Sequence, residues 1–541
     1  MQNKPFAITL KPGTSLANLT GSWRTARPVY LDRLPPCNNA CPAGENIQGW
    51  LFHAESGDYE QAWRVLVENN PLPAAMGRVC YHPCESACNR AQLDSSVGIN
   101  SVERFLGDEA IKRGWKFAAP AAASGKRVLV VGAGPSGLSA AYHLARMGHQ
   151  VEIHEAGPLA GGMMRFGIPK YRLPREVLDA EVQRILDMGV TLKLNTKVTH
   201  IEQSMKEGSF DAAFLAVGAH IGKRAMIPAG DAAHIVDAVS VLRSMEGEDK
   251  PMLGRKVVVY GGGNTAVDVA RTVKRMGAEP IIVYRRTRDK APAHDFEIEE
   301  ALQEGVMIKW LSTIKQAGDS SITIEKMALD DKGFPQPTGE FETLEADSVV
   351  LALGQDVDLS LLQGVPNLEI KDGTVQVSPN MMTGHPGIFA GGDMVPSERT
   401  VTVAVGHGKK AAHNIDAWLR GTTYQPAPKH ELAEFGKLNP WYYSDADKTV
   451  RPMLDIIRRQ STFEEVQGGL DETTALFEAR RCLSCGNCFE CDNCYGVCPD
   501  NAVIKLGPGK RFEFKYDYCK GCGICVAECP CGAIKMVTEE T

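Results

Sequence analysis

The chain has 541 residues, 43% of them hydrophobic, and a formal net charge of −7. That length exceeds what one core supports, so several domains are expected, and dispersed charge with only local basic clusters argues against a nucleic-acid or acidic-membrane binder. The N-terminal residues lack an apolar core behind a basic start and no run of about 18 apolar residues occurs, so neither a leader nor a membrane span is expected and the cytoplasm is.

Sulfur marks the two ends. Of sixteen cysteines, five fall between Cys37 and Cys88 and eleven between Cys482 and Cys531, with none in between. In a leaderless chain, C-x-x-C ladders point to metal clusters in a reducing compartment rather than to a disulfide scaffold.

After an Ala/Pro-rich stretch at 117–124, residues 127–157 read as strand, tight turn, helix, strand. Gly132, Gly134 and Gly137 form G-x-G-x-x-G, with Pro135 and Ser136 opening the helix, and Glu155 ends the second strand. The glycines allow the turn, the approach of a pyrophosphate and close helix packing, while the helix N-terminus faces the phosphates and the acid takes a ribose. The segment 160–174 lies where a flavin ring would rest; Gly161 and Gly162 permit close approach, Met163 and Met164 are read as packing before chemistry, and Arg172 is within reach of a cofactor.

The pattern returns at 256–288, with Gly261, Gly263 and Ala266 at the turn positions and Asn264 and Thr265 between them. Here the second strand ends in Arg285 and Arg286 instead of an acid. Guanidinium groups clamp a 2′-phosphate, so NADP(H) is expected over NAD(H), against the alternative of a solvated basic turn. A third signature places Gly392 and Asp393 at a strand end before a helix near Thr400 and Val401, the element with which two-nucleotide flavoproteins hold the ribityl chain and the pyrimidine edge. Asp393 alone would also serve as a helix cap. The order implies an NADP unit inserted in an FAD unit, with crossings at Leu215 to Gly218 and Leu351 to Gly354.

The C-terminal ladder repeats one spacing: Cys488, Cys491, Cys494, Cys498-Pro499, then Cys519, Cys522, Cys525, Cys529-Pro530. In two-cluster ferredoxins the fourth cysteine of each run serves the other cluster. The sets are therefore Cys488, Cys491, Cys494 and Cys529, and Cys519, Cys522, Cys525 and Cys498. Cys482, Cys485 and Cys531 are left over, and a zinc ribbon does not explain two C-P endings.

From about residue 30 to 420 the chain resembles the small subunit of bacterial glutamate synthase and its relatives, including the N-terminal half of dihydropyrimidine dehydrogenase. The resemblance rests on GRVCYHPCESAC, GINSVERFLGDEA, both glycine turns and GIFAGGD. It implies a helical N-terminal domain with two [4Fe-4S] clusters fed by FAD, which takes hydride from NADPH. The family's first cysteine group is C-x-x-C followed by two more; this chain keeps only Cys37 and Cys41. Position by position, Cys41, Cys80 and Cys84 match one cluster, with Glu103 at the place of its fourth ligand, and Cys37 and Cys88 match the other, which lacks two. One N-terminal cluster is expected, its fourth ligand open between Glu103 and a leftover cysteine, a solvent-facing Glu103 being the alternative. The last domain resembles the ferredoxin-like subunit of 2-oxoacid:ferredoxin oxidoreductases.

The fold class expected is thus α/β: an N-terminal helical iron-sulfur domain (1–122), an FAD domain in two parts (123–226 and 353–425) around an inserted NAD(P) domain (227–352), a linker and helix (426–475), and an α+β ferredoxin domain (476–541). The function expected is an electron-transfer flavoprotein subunit in a hetero-oligomer, its partner a thiamine-dependent 2-oxoacid:acceptor oxidoreductase or ferredoxin. A free-standing NADPH:ferredoxin reductase or a glutamate synthase subunit shares the chemistry, and a redox sensor or assembly scaffold is the non-enzymatic alternative. A disulfide relay is excluded because the nucleotide units contain no cysteine pair.

Overall fold

Segments 127–131 (RVLVV) and 256–260 (KVVVY) are apolar without alternation, as strands covered on both faces are. In the computed structural model, which describes residues 19–223, 225–229, 234–247 and 250–539, they are inner strands of two parallel five-stranded sheets. The first runs Ile388–Ala390, Ala212–Leu215, Arg127–Val131, Gln150–His154, Thr191–Lys193. The second runs Met307–Lys309, Glu279–Val283, Lys256–Tyr260, Ser348–Leu351, Ile235–Asp237. The chain leaves the first sheet after Leu215 and rejoins it at Ile388, so one dinucleotide unit is inserted in the other. The crossing segments lie side by side, Gly222 opposite Gln355 and Ile221 opposite Asp356.

One sheet was not anticipated. Strands Ser312–Ala317, Ser321–Leu329 and Pro335–Glu345 form an antiparallel meander that packs Ile314, Ala317, Ile322 and Ile324 against Val258 and Val349 of the inserted sheet. Its outer strand has no buried residue, so its sequence carries no apolar period.

The N-terminal domain is helical, with Trp50, Trp63 and Leu66 fully buried. Helix Glu472–Arg480, from the far end of the chain, enters this core through Ala475 and Ala479. Buried ionic partners fix it: Glu478 accepts from the Gly98 amide (2.6 Å), and Arg481 donates to the carbonyls of Ser95 (2.6 Å) and Ser96 (2.9 Å). The termini also meet directly, since strand Ala26–Tyr30 pairs antiparallel with Ile534–Thr538 and Tyr30 stacks on Phe514 with ring centroids 4.8 Å apart. The helical domain thus lends a strand to the ferredoxin domain and receives a helix from the segment before it. Among the described residues no helix is long and apolar enough to cross a membrane.

Candidate functional site

A cavity of about 1020 Å³ lies between the two dinucleotide units. On the first unit its wall is the turn Gly132 to Ser136, Glu155, Gly162 and Met163; the closing wall is Gly392, Asp393, Thr400 and Val401. Ser136 opens the helix Pro135–Arg146, and its hydroxyl is buried with no hydrogen-bond partner, an orphaned donor at a helix N-terminus of the kind a phosphate satisfies. Glu155 is held by the amides of Ala133 (2.8 Å) and Gly157 (2.7 Å). Gly137 and Gly161 stand behind the wall: a Cβ on Gly137 would lie 1.9 Å from the Gly132 carbonyl oxygen. Gly162, at φ +53°, would put a Cβ 2.7 Å from Gly134 Cα, so glycine is needed where the two loops meet.

Burial pushes the Asp393 carboxyl up to about 6, opposed by Arg399. Thr400 caps helix Val401–Leu419 by accepting from the Val403 amide (3.2 Å), which leaves Asp393 facing the cavity instead of acting as that cap. Arg172 lines the cavity but is not free: it pairs with Asp268 (2.8 Å) and Glu297 (2.7 Å) of the inserted unit, clamping the two units together. The residue types in this cavity fit a dinucleotide flavin.

The inserted unit reaches the cavity through Asn264 and Thr265. Asn264 donates to the Tyr81 hydroxyl (2.7 Å) and accepts from the His294 amide (3.1 Å), and Tyr81 stacks on His294 at 3.7 Å; sequence reasoning missed this contact, because Tyr81 belongs to the helical domain. Gly261, Gly263, Ala266 and Gly354 are outside the cavity wall. Space beside Gly263 is open, Ala266 is fully buried, and Gly354 faces the Lys223 stem. At the end of strand Glu279–Val283, Arg285 is exposed and Arg286 keeps a buried, unpartnered Nε with its guanidinium 5.8 Å from the Phe334 ring centroid. Arg288 is already paired with Asp295 (2.6 Å) and Glu299 (3.3 Å). Arg285 and Arg286 thus stand together at the end of this strand, where the sequence has no acid.

The thiols gather in groups. No three His, Cys, Asp or Glu side chains among the described residues meet closely enough for a single metal ion. Cys41, Cys80 and Cys84 lie together beside Glu103, and burial first, then neighbouring charge (Glu45 for Cys41, Glu103 for Cys80, Cys80 for Cys84), pushes all three thiols up. Glu103 is buried, not solvent-facing; burial and the nearby Glu45 push it well up, and Asn70 Nδ2 bridges the two carboxyls at 2.9 Å each. Cys80 accepts from the His82 amide (3.2 Å) and sits between Val79 and Tyr81, both of the cavity wall.

At the C-terminal end, Cys494 has Cys488, Cys491 and Cys529 as neighbours, and Cys525 has Cys519, Cys522 and Cys498 together with Cys494 of the first set. The structure therefore brings together the two crossed sets read from the spacing. Donors point at sulfur here as well, the Ala502 amide at Cys498 (3.2 Å) and the Tyr30 hydroxyl at Cys494 (3.2 Å). Cys531, left over in the sequence, lies 3.8 Å from Cys529 sulfur to sulfur. Cys37 and Cys88 are together in the helical domain, and Cys482 and Cys485 lie beside them.

A family model described as pyridine nucleotide-disulphide oxidoreductase matches residues 126–408. The chain belongs to this family. The thiol groups lie outside that match, and two further models cover part of them: dihydropyrimidine dehydrogenase domain II with a 4Fe-4S cluster at 29–115, and a 4Fe-4S binding domain at 512–535, with Cys482 to Cys498 outside both. Among its relatives in the family, the chain is 37% identical to the NADP(+)-dependent formate dehydrogenase subunit beta of Moorella thermoacetica, over 83% of this chain and 70% of that one. It is 32% identical to the NADPH-Fe(3+) oxidoreductase subunit beta of Geobacter sulfurreducens (87% and 78%) and 31% identical to the glutamate synthase [NADPH] small chain of Escherichia coli (71% and 89%). The family membership makes the chain an oxidoreductase, and the resemblance to glutamate synthase small subunits read from its motifs holds.

Proposed function

We propose that the chain is an electron-transfer subunit that links NADP(H) to a partner oxidoreductase through FAD and [4Fe-4S] clusters. One observation carries this reading: a single cavity joins the flavin-type turn at Ser136 and Asp393 to the inserted unit's turn at Asn264, and its wall includes both neighbours of Cys80. Bound there, FAD would take a hydride from NADPH and release the two electrons one at a time. The chain's own part is placement. Ser136 and the helix N-terminus hold the pyrophosphate, Glu155 the adenosine ribose and Asp393 the ribityl chain. Arg285 and Arg286 select the 2′-phosphate, while the Arg172 clamp and the Tyr81–His294 stack fix the inserted unit over the ring. Cys41, Cys80, Cys84 and Glu103 hold the cluster next to the flavin, and the two crossed C-terminal sets hold the outlying pair.

The partner is a catalytic oxidoreductase subunit. The ferredoxin-like end favours the 2-oxoacid:acceptor class, and the relative from Moorella favours formate dehydrogenase. Anaerobic mixing of the reconstituted full chain with NADPH tests the core of the reading: flavin and cluster absorbance should both bleach, and clusters that stay oxidised while flavin bleaches would overturn it. Copurification from the native host, followed by NADP+ reduction with a 2-oxoacid or with formate, identifies the partner.

A further inference from the structure

The helical domain's second thiol pair, Cys37 and Cys88, has too few ligands of its own for a cluster, and the C-terminal ladder's first pair, Cys482 and Cys485, has no place in the ferredoxin register. The two remainders meet. All four cysteines line one small cavity, closed by the apolar side chains of Leu51, Val97 and Ile99. We propose that Cys37, Cys88, Cys482 and Cys485 hold a further [4Fe-4S] cluster, assembled from both ends of the chain and standing between the flavin-side cluster and the ferredoxin pair.

Three features support it. Against the family pattern this chain lacks one C-x-x-C at the N-terminal group, and 482–485 is a C-x-x-C delivered to that place by a different part of the chain. The delivery is fixed, not incidental, because Ala479 is in the helical core and the buried Glu478 and Arg481 hold the segment to residues 95–98. Donors are aimed at the sulfurs: the Ser484 amide at Cys482 (3.4 Å) and Asn89 Nδ2 at Cys485 (3.4 Å), contacts of the kind that tune cluster potentials.

A structural zinc ion would also take four thiolates, at about 2.3 Å each, but no three ligand side chains here converge on a single ion. All sixteen cysteines are free thiols, so no disulfide uses these four. The four thiols neighbour one another, and a cubane takes four thiolates. The position also explains the path. Cys37 and Cys41 are four residues apart, as are Cys84 and Cys88, so each spacing gives one thiol to the flavin-side group and one to this group, about one helical turn apart. Three residues after Cys485, Cys488 belongs to the next group. Electrons pass singly along such a series, each cluster gaining and losing one, with no bond made and no proton required. The relay role rests on the electron-transfer reading; the cluster itself does not.

The test is metal content of the full chain, reconstituted anaerobically and normalised to FAD. Wild type should hold about sixteen irons, four cubanes, and Cys482→Ser/Cys485→Ser about twelve. Spin integration of the dithionite-reduced variant should fall by one cluster. Cys37→Ser, at the other end of the chain, should cause the same loss, which separates ligand removal from local misfolding, and Cys531→Ser should keep all the iron. About twelve irons in wild type with no further loss in the double variant, or one zinc ion in place of four irons, would overturn the proposal. If the irons number sixteen and NADPH leaves the flavin oxidised, the electron-transfer reading falls and the cluster stands.

Discussion

Replacing Arg285 and Arg286 together by alanine should cost NADPH binding about 4 kcal/mol and NADH binding almost nothing. A hydrogen bond to a charged group contributes about 1.5–3 kcal/mol. Arg285 is exposed and belongs at the lower end, about 1.5 kcal/mol, because water screens it. Arg286 is half-buried, held by Phe334, and has an unpartnered Nε, so it belongs near the upper end, about 2.5 kcal/mol. At about 1.4 kcal/mol per decade the pair is worth nearly a thousandfold in Kd. Arg288 differs, although the sequence places it in the same run: its pairs with Asp295 and Glu299 must break before it can reach a phosphate, so Arg288→Ala should change Kd by no more than about threefold. Calorimetric titration of the FAD-loaded chain with NADP+ and with NAD+ measures each value. Equal losses for both nucleotides, or a larger effect at Arg288 than at Arg286, would refute the assignment of this strand end to the 2′-phosphate.

Two further predictions concern how the domains are held. Glu304 is fully buried and accepts from Arg271 (2.7 Å), Arg275 (2.7 Å) and, from the segment after the flavin domain, Arg459 (3.2 Å). Glu304→Gln removes the anion shared by three guanidinium groups, of which Arg271 alone keeps another carboxylate partner, Glu300 (2.8 Å), and should destabilise the inserted unit by about 3 kcal/mol, seen as a lower melting transition and new proteolysis within 440–470; an unchanged transition would show that the cluster is not structural. Glu181, buried under the helix Pro73–Val79, accepts from the amides of Ala74 (2.7 Å) and Ala75 (2.9 Å), yet burial pushes it up to about 7. A carboxyl raised in the folded state favours folding fully below its unfolded value, near 4.5, and loses that contribution as pH climbs through about 7. At 1.36 kcal/mol per unit the loss is about 3 kcal/mol, so the stability difference between wild type and Glu181→Gln should shift by that amount between pH 4.5 and 7. A pH-independent difference would contradict it.

The nucleotide units were readable because their determinants are local. A parallel strand buried on both faces leaves an apolar run, and a phosphate turn leaves glycines at fixed offsets, so Arg127–Val131 and Lys256–Tyr260 declare themselves within a dozen residues each. The ferredoxin spacing is equally local. What the sequence hid is whatever depends on distant segments meeting. The meander at 312–345 has an outer strand with no buried side chain, so no period marks it. Tyr81 reaches the inserted unit across nearly two hundred positions of numbering, to Asn264.

The leftover cysteines make the same point in chemical form. Spacing rules assign a thiolate to a cluster only when its co-ligands share its segment, and by that rule Cys37 and Cys88 lack partners while Cys482 and Cys485 are surplus. The fold cancels the two remainders by pairing Ala26–Tyr30 with Ile534–Thr538 and by burying Ala475 and Ala479 among the N-terminal helices. Those contacts are apolar and backbone in nature and carry no metal-binding signature, so the ligand set they assemble is written in packing and not in motif. It follows that the ferredoxin domain is not an independent appendage: its lead-in helix and its last strand are both anchored to the helical domain, which holds the outlying cysteine sets in fixed relation to the flavin cavity.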